Sequence, residues 1–148
     1  MALEGGCHCG AVRYRMEGDP ICVNGCHCRD CQTLTGSAFA VNAMIEADRV
    51  TVIRGEPVTD PEFGTRCDRC GVLLWATHPM FGDAILFLRA GTLDESGRMA
   101  PDAHFFVRSK HPWIALPEGV PAFETLPGEG DALFTPAQQA RVSAAMQA

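Results

Sequence analysis

The chain has 148 residues, 47% of them apolar and 20% charged, with a formal net charge of −6. That length suits one domain, residues 1–148, with a sizeable core, and the composition argues against disorder or a coiled coil. No run of 18 apolar residues occurs and residues 1–20 lack the unbroken hydrophobic stretch of a leader, so neither a membrane span nor a signal peptide is expected, and a cytoplasmic location is. The acidic balance speaks against nucleic acid as a partner, because such binding rests on Lys and Arg neutralising phosphates.

Along the chain, residues 10–18 predict a strand: Val12, Tyr14 and Met16 alternate with Ala11, Arg13, Arg15 and Glu17, leaving one face apolar. Ahead lies CHCRDC (26–31), after which a short helical turn is predicted over 29–34, ended by Gly36. Strands are predicted at 37–45, 49–54, 72–77, 84–90 and 103–108, rich in Val, Ile, Leu and Phe and separated by Gly, Pro or Asp. Residues 117–130 have the composition of a surface loop. Thr135, Pro136 and Gln138 then supply an N-cap, a first-turn proline and a capping box for a C-terminal helix. The fold class expected is mainly β and antiparallel, with that one clear helix.

Eight cysteines, at 7, 9, 22, 26, 28, 31, 67 and 70, carry the chemistry. In a reducing compartment such spacing favours metal binding over a disulfide framework or buried thiols. In C-x-C, Cys7 and Cys9 of an extended segment present both sulfurs to one side. In C-x-x-C-G the chain curls around an ion, and Gly71 suits the positive φ that closes the turn. Cys7, Cys9, Cys67 and Cys70 then make one closed tetrahedral zinc site. Cys26, Cys28 and Cys31 form a second set of three, leaving a fourth position for water or a thiol. A second partition joins Cys28 and Cys31 to Cys67 and Cys70, although the 35 residues between these pairs exceed the usual roughly 15–20. Cys22 is expected in the core. His27 and His8 alternate with their cysteine neighbours and are expected to point away from the sulfurs.

Four stretches, GGCHCGAVRY (5–14), CHCRDCQTLTGSAF (26–39), CDRCG (67–71) and PDAHFFVRSKHPW (101–113), together resemble the family of glutathione-dependent formaldehyde-activating enzymes, whose fold is related to the Mss4-like zinc proteins. The resemblance implies bent antiparallel sheets around two zincs. It gives Cys7, Cys9, Cys67 and Cys70 to a structural zinc and Cys26, Cys28 and Cys31 to a catalytic one, with no ligand role for Cys22. The implied activity is that of a carbon–sulfur lyase, an S-(hydroxymethyl)glutathione synthase, with glutathione or a related thiol and a small aldehyde as partners.

Glutathione carries two carboxylates, for which Arg29, Arg108 and Lys110 are candidates; the competing expectation for each is a solvated surface charge. His104 is a candidate proton shuttle or pocket wall, against a purely structural histidine. Phe39, Phe81, Phe105 and Trp113 are expected in the core or lining a pocket. The rival classes are a non-catalytic zinc scaffold of the same fold and a disulfide redox protein, the latter weakened by the lack of a βαβ pattern.

Overall fold

The computed structural model describes residues 1–127 and 134–148. Its elements, in chain order, are β1 (Ala2–Gly6), β2 (Arg13–Glu17), β3 (Cys22–Cys26), α1 (Arg29–Thr35), β4 (Ala40–Glu46), β5 (Val50–Arg54), β6 (Val58–Asp60), β7 (Gly64–Arg66), β8 (Leu73–His78), β9 (Gly82–Arg89), β10 (Ala103–Phe105) and α2 (Pro136–Gln147). The fold is mainly β. A small sheet runs β1-β2-β5 and a large one β10-β3-β4-β9-β8-β7-β6.

Alternation decides how the sheets meet. Leu3, Tyr14 and Met16 of the small sheet are buried against Val23, Ala43, Ile45, Leu74 and Leu88 of the large one, forming the main core. The apolar face predicted for Val12, Tyr14 and Met16 is therefore the inner face, and the intervening arginines lie outward. Register shifts between β2 and β5, β7 and β8, and β8 and β9 mark irregular pairing that bends the sheets.

The outer face of the large sheet is divided. Strand register puts Cys22, Asn24 and Cys26 of β3, Ala40, Asn42, Met44 and Glu46 of β4, and Ile85, Phe87 and Arg89 of β9 on it. One half is apolar: Ile21, Cys22, Met44 and Ile85 are covered by Val142 of α2, with Phe81, Phe87, Phe134 and Ala145 around them. The other half carries Asn24, Asn42, Arg89 and Cys26.

Several expectations are corrected. β10 pairs parallel to β3, so the large sheet is not wholly antiparallel. β10 stops at Phe105, because Phe106 takes a left-handed conformation (φ 57°) and turns the chain into a single 3-10 turn, Val107–Ser109. Residues 121–125 of the predicted loop are not free: the His104 and Phe106 amides donate to the Pro121 and Thr125 carbonyls, and Phe123 donates back to His104. Residues 128–130 of that loop lie outside the described residues. Four strands, β1, β3, β6 and β7, had no predicted counterpart. α1 and α2 match expectation: α1 ends at Gly36, and α2 has the full capping box of Thr135 and Gln138.

α2 is held by charge as well as by Val142. Arg141 makes two 2.7 Å hydrogen bonds to the Glu46 carboxylate and one to the Asp19 carbonyl. Burial alone would push the Glu46 carboxyl up, but the hydrogen bonds and charge of Arg141, with the charge of Arg49, hold it below its ordinary 4.5. A depressed carboxyl stabilises the fold above its ordinary range, and that contribution fades as pH falls through and below 4.5. Arg141→Met should strand the buried carboxylate and lower unfolding free energy by about 2 kcal/mol at neutral pH. Urea titration should recover much of this loss in the Arg141→Met, Glu46→Gln double variant.

Candidate metal centres

Two matching backbone turns build the first centre. At the end of β1, the Cys7 amide donates to the Val12 carbonyl while Gly10 returns to the Cys7 carbonyl; between β7 and β8, Cys67 donates to Val72 while Gly71 returns to Cys67. Gly10 (φ 81°) and Gly71 (φ 78°) occupy the left-handed region that each turn requires. Inside each turn backbone amides point at sulfur: Val12 N–H at Cys7 Sγ (3.3 Å) and Cys70 N–H at Cys67 Sγ (3.5 Å).

The sulfurs of Cys7, Cys9, Cys67 and Cys70 all lie within 4.8 Å of one another. Cys7 to Cys9 is 3.7 Å and Cys9 to Cys67 is 3.8 Å. A tetrahedral ion with metal–sulfur bonds of about 2.3 Å separates its sulfurs by about 3.8 Å. These four residues fit a closed tetrathiolate site. All eight cysteines are free, with no disulfide among them, and the sulfurs gather as Cys7, Cys9, Cys67 and Cys70 and as Cys26, Cys28 and Cys31, not in the partition that joined Cys28 and Cys31 to Cys67 and Cys70.

The second centre lies where β3 runs into α1. Cys26, Cys28 and Cys31, all half-buried, also place their sulfurs within 4.8 Å of one another, with Cys26 and Cys28 3.4 Å apart. Cys28 caps α1, its sulfur accepting the Cys31 amide at 3.3 Å. That amide is thus unavailable to an outside anion, and α1 has only seven residues, so the helix start is no anion site. Hydrogen bonding from Cys26, then from Cys28, with the adjacent Arg89 guanidinium, brings the Cys31 thiol down to about 6 despite its burial. The same contact with Cys31, together with burial, drives the Cys26 thiol up. Among the described residues no fourth Cys, His, Asp or Glu joins this set.

Cys22 lies in the apolar cluster under α2, where burial and the charge of Asp102 push its thiol up to about 12. It belongs to neither sulfur group.

His27 is fully buried, turned away from the sulfurs onto the opposite sheet face, where Phe39 stacks on it at 4.6 Å. Its Nε2 is 2.9 Å from Nδ1 of His104, also buried. Burial, then the charges of His104, Lys110 and His111, lower His27 to about 4; burial lowers His104 as well. The pair is therefore neutral at physiological pH, one ring donating and the other accepting.

Arg29 is exposed on α1 and bonds Gln32; Arg108 is exposed; Lys110 donates to the His111 and Ile114 carbonyls. Trp113, expected in the core or a pocket, is instead 72% exposed and stacks on His111, while Phe105 is buried and Phe39 and Phe81 are partly so.

Two sets of residues escaped sequence reasoning. Gln32, buried on α1, donates to the His27 carbonyl at 2.9 Å and to the Ser109 carbonyl at 3.0 Å, which ties the cysteine segment to the one bearing Arg108 and Lys110. Asn24, Asn42 and Arg89 lie side by side across β3, β4 and β9. A polar residue amid strand residues, as in VNG, VNA and FLRA, was the available signal.

Gly25 is where the His pair meets the sheet: a Cβ there would lie 2.6 Å from Nδ1 of His104. Gly25→Ala should force the imidazole off His27 and lower stability by roughly 1–3 kcal/mol, read by thermal or urea unfolding.

The family model for "Glutathione-dependent formaldehyde-activating enzyme" matches residues 2–109. A protein of Halomonas elongata named "Putative glutathione-dependent formaldehyde-activating enzyme" is 29% identical over 128 residues, covering 78% of this chain and 82% of its own length. A crystal structure of a Rhodobacter sphaeroides protein aligns with TM-score 0.47 at 20% identity, over 63% of this chain and 89% of that one. The family match takes in both sulfur centres, the polar row and the His pair, and on it the chain belongs to the family of glutathione-dependent formaldehyde-activating enzymes.

Proposed function

We propose that this protein is a zinc-dependent carbon–sulfur lyase that joins glutathione, or a related thiol, to formaldehyde or another small aldehyde as the S-hydroxymethyl adduct. The observation that carries the reading is the inequality of the two sulfur groups, four in one and three in the other. The whole chain is read as one zinc-binding domain.

Cys7, Cys9, Cys67 and Cys70 would hold a structural zinc. Cys26, Cys28 and Cys31 would hold the second, which when bound supplies a position for a thiol and keeps it deprotonated near neutral pH. The chain's own residues do the rest. The Cys31 amide and the Arg89 guanidinium orient the sulfurs of Cys28 and Cys31. Gln32 fixes α1 against Ser109, keeping Arg29 and Arg108 within one patch of surface for the carboxylates of glutathione, with Lys110 at its half-buried edge. His104 and His27 brace β3 from behind, a structural role rather than proton transfer.

The reaction balances without a redox partner. A carbon–sulfur bond forms, the carbonyl π pair moves onto oxygen, and that oxygen takes the proton the thiol gave up. The family description supports glutathione and formaldehyde as substrates.

Metal analysis of the purified protein should give two zincs per chain. Cys28→Ser should keep one zinc and the folded state, whereas Cys67→Ser should lose most of its thermal stability, since a structural zinc contributes folding energy directly. The function itself is tested by exchange between free glutathione and its hydroxymethyl adduct, followed by NMR. The zinc-loaded protein should accelerate exchange, and Cys31→Ser should reduce the acceleration by roughly 100-fold or more. Exchange no faster than in protein-free buffer would overturn the enzymatic reading and leave a zinc-binding scaffold.

A further inference from the structure

We propose that Gln32 is a positioning residue for thiol recognition: its side-chain amide holds the Arg29 guanidinium at the edge of the three-sulfur group, where it takes a carboxylate of the incoming thiol. The inference rests on the activity proposed above and adds what selects an anionic thiol over an uncharged one.

α1 inverts the usual partition of side chains. Gln32 is its one buried residue, 4% exposed, while Leu34 stands 50% exposed. Packing alone would bury the leucine and leave the amide in water, so the hydrogen bonds of Gln32 are what its burial serves. Both amide hydrogens are taken: Nε2 donates to the His27 carbonyl at 2.9 Å and to the Ser109 carbonyl at 3.0 Å. Oε1 accepts from Nη1 of Arg29. These partners allow one orientation of the amide, because a carbonyl can only accept and a guanidinium can only donate.

The nitrogen is thus clamped between two backbone segments while the oxygen is aimed at a cation. His27 lies between Cys26 and Cys28, and Ser109 ends the turn that follows Phe106, so the clamp is referenced to backbone rather than to mobile side chains. Arg29 lies between Cys28 and Cys31, is exposed, and among the described residues takes part in no ion pair. An exposed arginine samples many rotamers and loses that freedom on binding. One steadied by a clamped oxygen has given up part of it in advance. Gln32 engages one N–H of the guanidinium, and the remaining donors suit a planar carboxylate. A neutral acceptor is the right holder, since a carboxylate at position 32 would cancel the charge that a ligand is to meet. A thiol whose sulfur reaches Cys26, Cys28 and Cys31 has Arg29 within the same short segment, and an uncharged thiol has nothing to pair with it.

Calorimetry on the zinc-loaded protein compares glutathione with its diethyl ester, the same thiol with both carboxylates masked. The unaltered protein should bind glutathione about fivefold to tenfold more tightly, as a charge-assisted hydrogen bond gives. Arg29→Met and Gln32→Leu should each bring that preference down to about twofold or less, and the double variant should behave like either one, because the two residues act as a unit. Zinc content should stay unchanged in all three. A preference retained in either single variant would overturn the inference. So would loss of zinc from Gln32→Leu, or equal weakening of both ligands by it, which is what a merely structural glutamine predicts. Arg29→Met alters an exposed side chain and decides the matter where Gln32→Leu does not fold. Equal binding of the two ligands by the unaltered protein would overturn the inference and leave the proposed activity to stand on the NMR exchange. Binding of neither ligand would remove both.

Discussion

Everything in this fold is organised around four sulfurs gathered from two distant parts of the chain. Cys9 and Cys67 are 58 residues apart and 3.8 Å from each other. The first turn continues the β1–β2 hairpin of the small sheet, and the second joins β7 to β8 of the large one. Their meeting pins one sheet to the other, with Cys7 and Cys67 buried in the main core. Four thiols at this separation cannot all ionise without a cation among them, so an ion held there would couple its binding to the packing of the sheets. The amides of Val12 and Cys70, already aimed at sulfur, reduce the reorganisation that binding needs.

With one face of the large sheet committed to that packing, the chemistry falls on the other. There α2 covers only half. Its hold through Val142 and the Arg141–Glu46 pair keeps Cys22 and Met44 dry. The remaining half places Asn24, Asn42 and Arg89 beside the three-sulfur group, and a strand-to-helix junction sets the sulfur spacing. β3 delivers Cys26, the cap position delivers Cys28, and the first helical turn delivers Cys31. Rigid regular structure on both sides of a short junction fixes the spacing of the three sulfurs.

What the sequence made legible follows from how local each signal is. The sulfur groups, the capping box at Thr135, the ends of α1 and the inward face of Tyr14 and Met16 depend on spacings of a few residues, and all stand in the structure. β3 was missed because CVNGC mixes cysteines, a glycine and a buried asparagine, none of which gives a period of two. β6 and β7 are three residues each, too short for any period. The parallel pairing of β10 and the docking of residues 121–125 against it are non-local and leave no mark in either segment alone. Trp113 was misplaced because residue type outweighed context: it follows a proline in a turn, with only His111 to stack on. Arg89 falls within the predicted strand 84–90 with nothing local to mark it, and only the register with Asn42 shows what it faces.

The distribution of unpaired groups ties these strands together. Among the described residues, two buried side-chain nitrogens lack a partner, Asn24 Nδ2 and His27 Nδ1. One lies two residues before Cys26 on β3 and the other immediately after the strand ends. Each unpaired group costs about 1–3 kcal/mol, a large share of the stability of a small domain. A chain selected for packing alone would place leucine or phenylalanine at both positions. That the only such groups found flank the three-sulfur centre shows where consistency between sequence and fold gives way, and such departures concentrate where a protein binds or reacts. Among the described residues the unpaired buried nitrogens are thus not spread through the core but gathered at positions 24 and 27, beside the three-sulfur group.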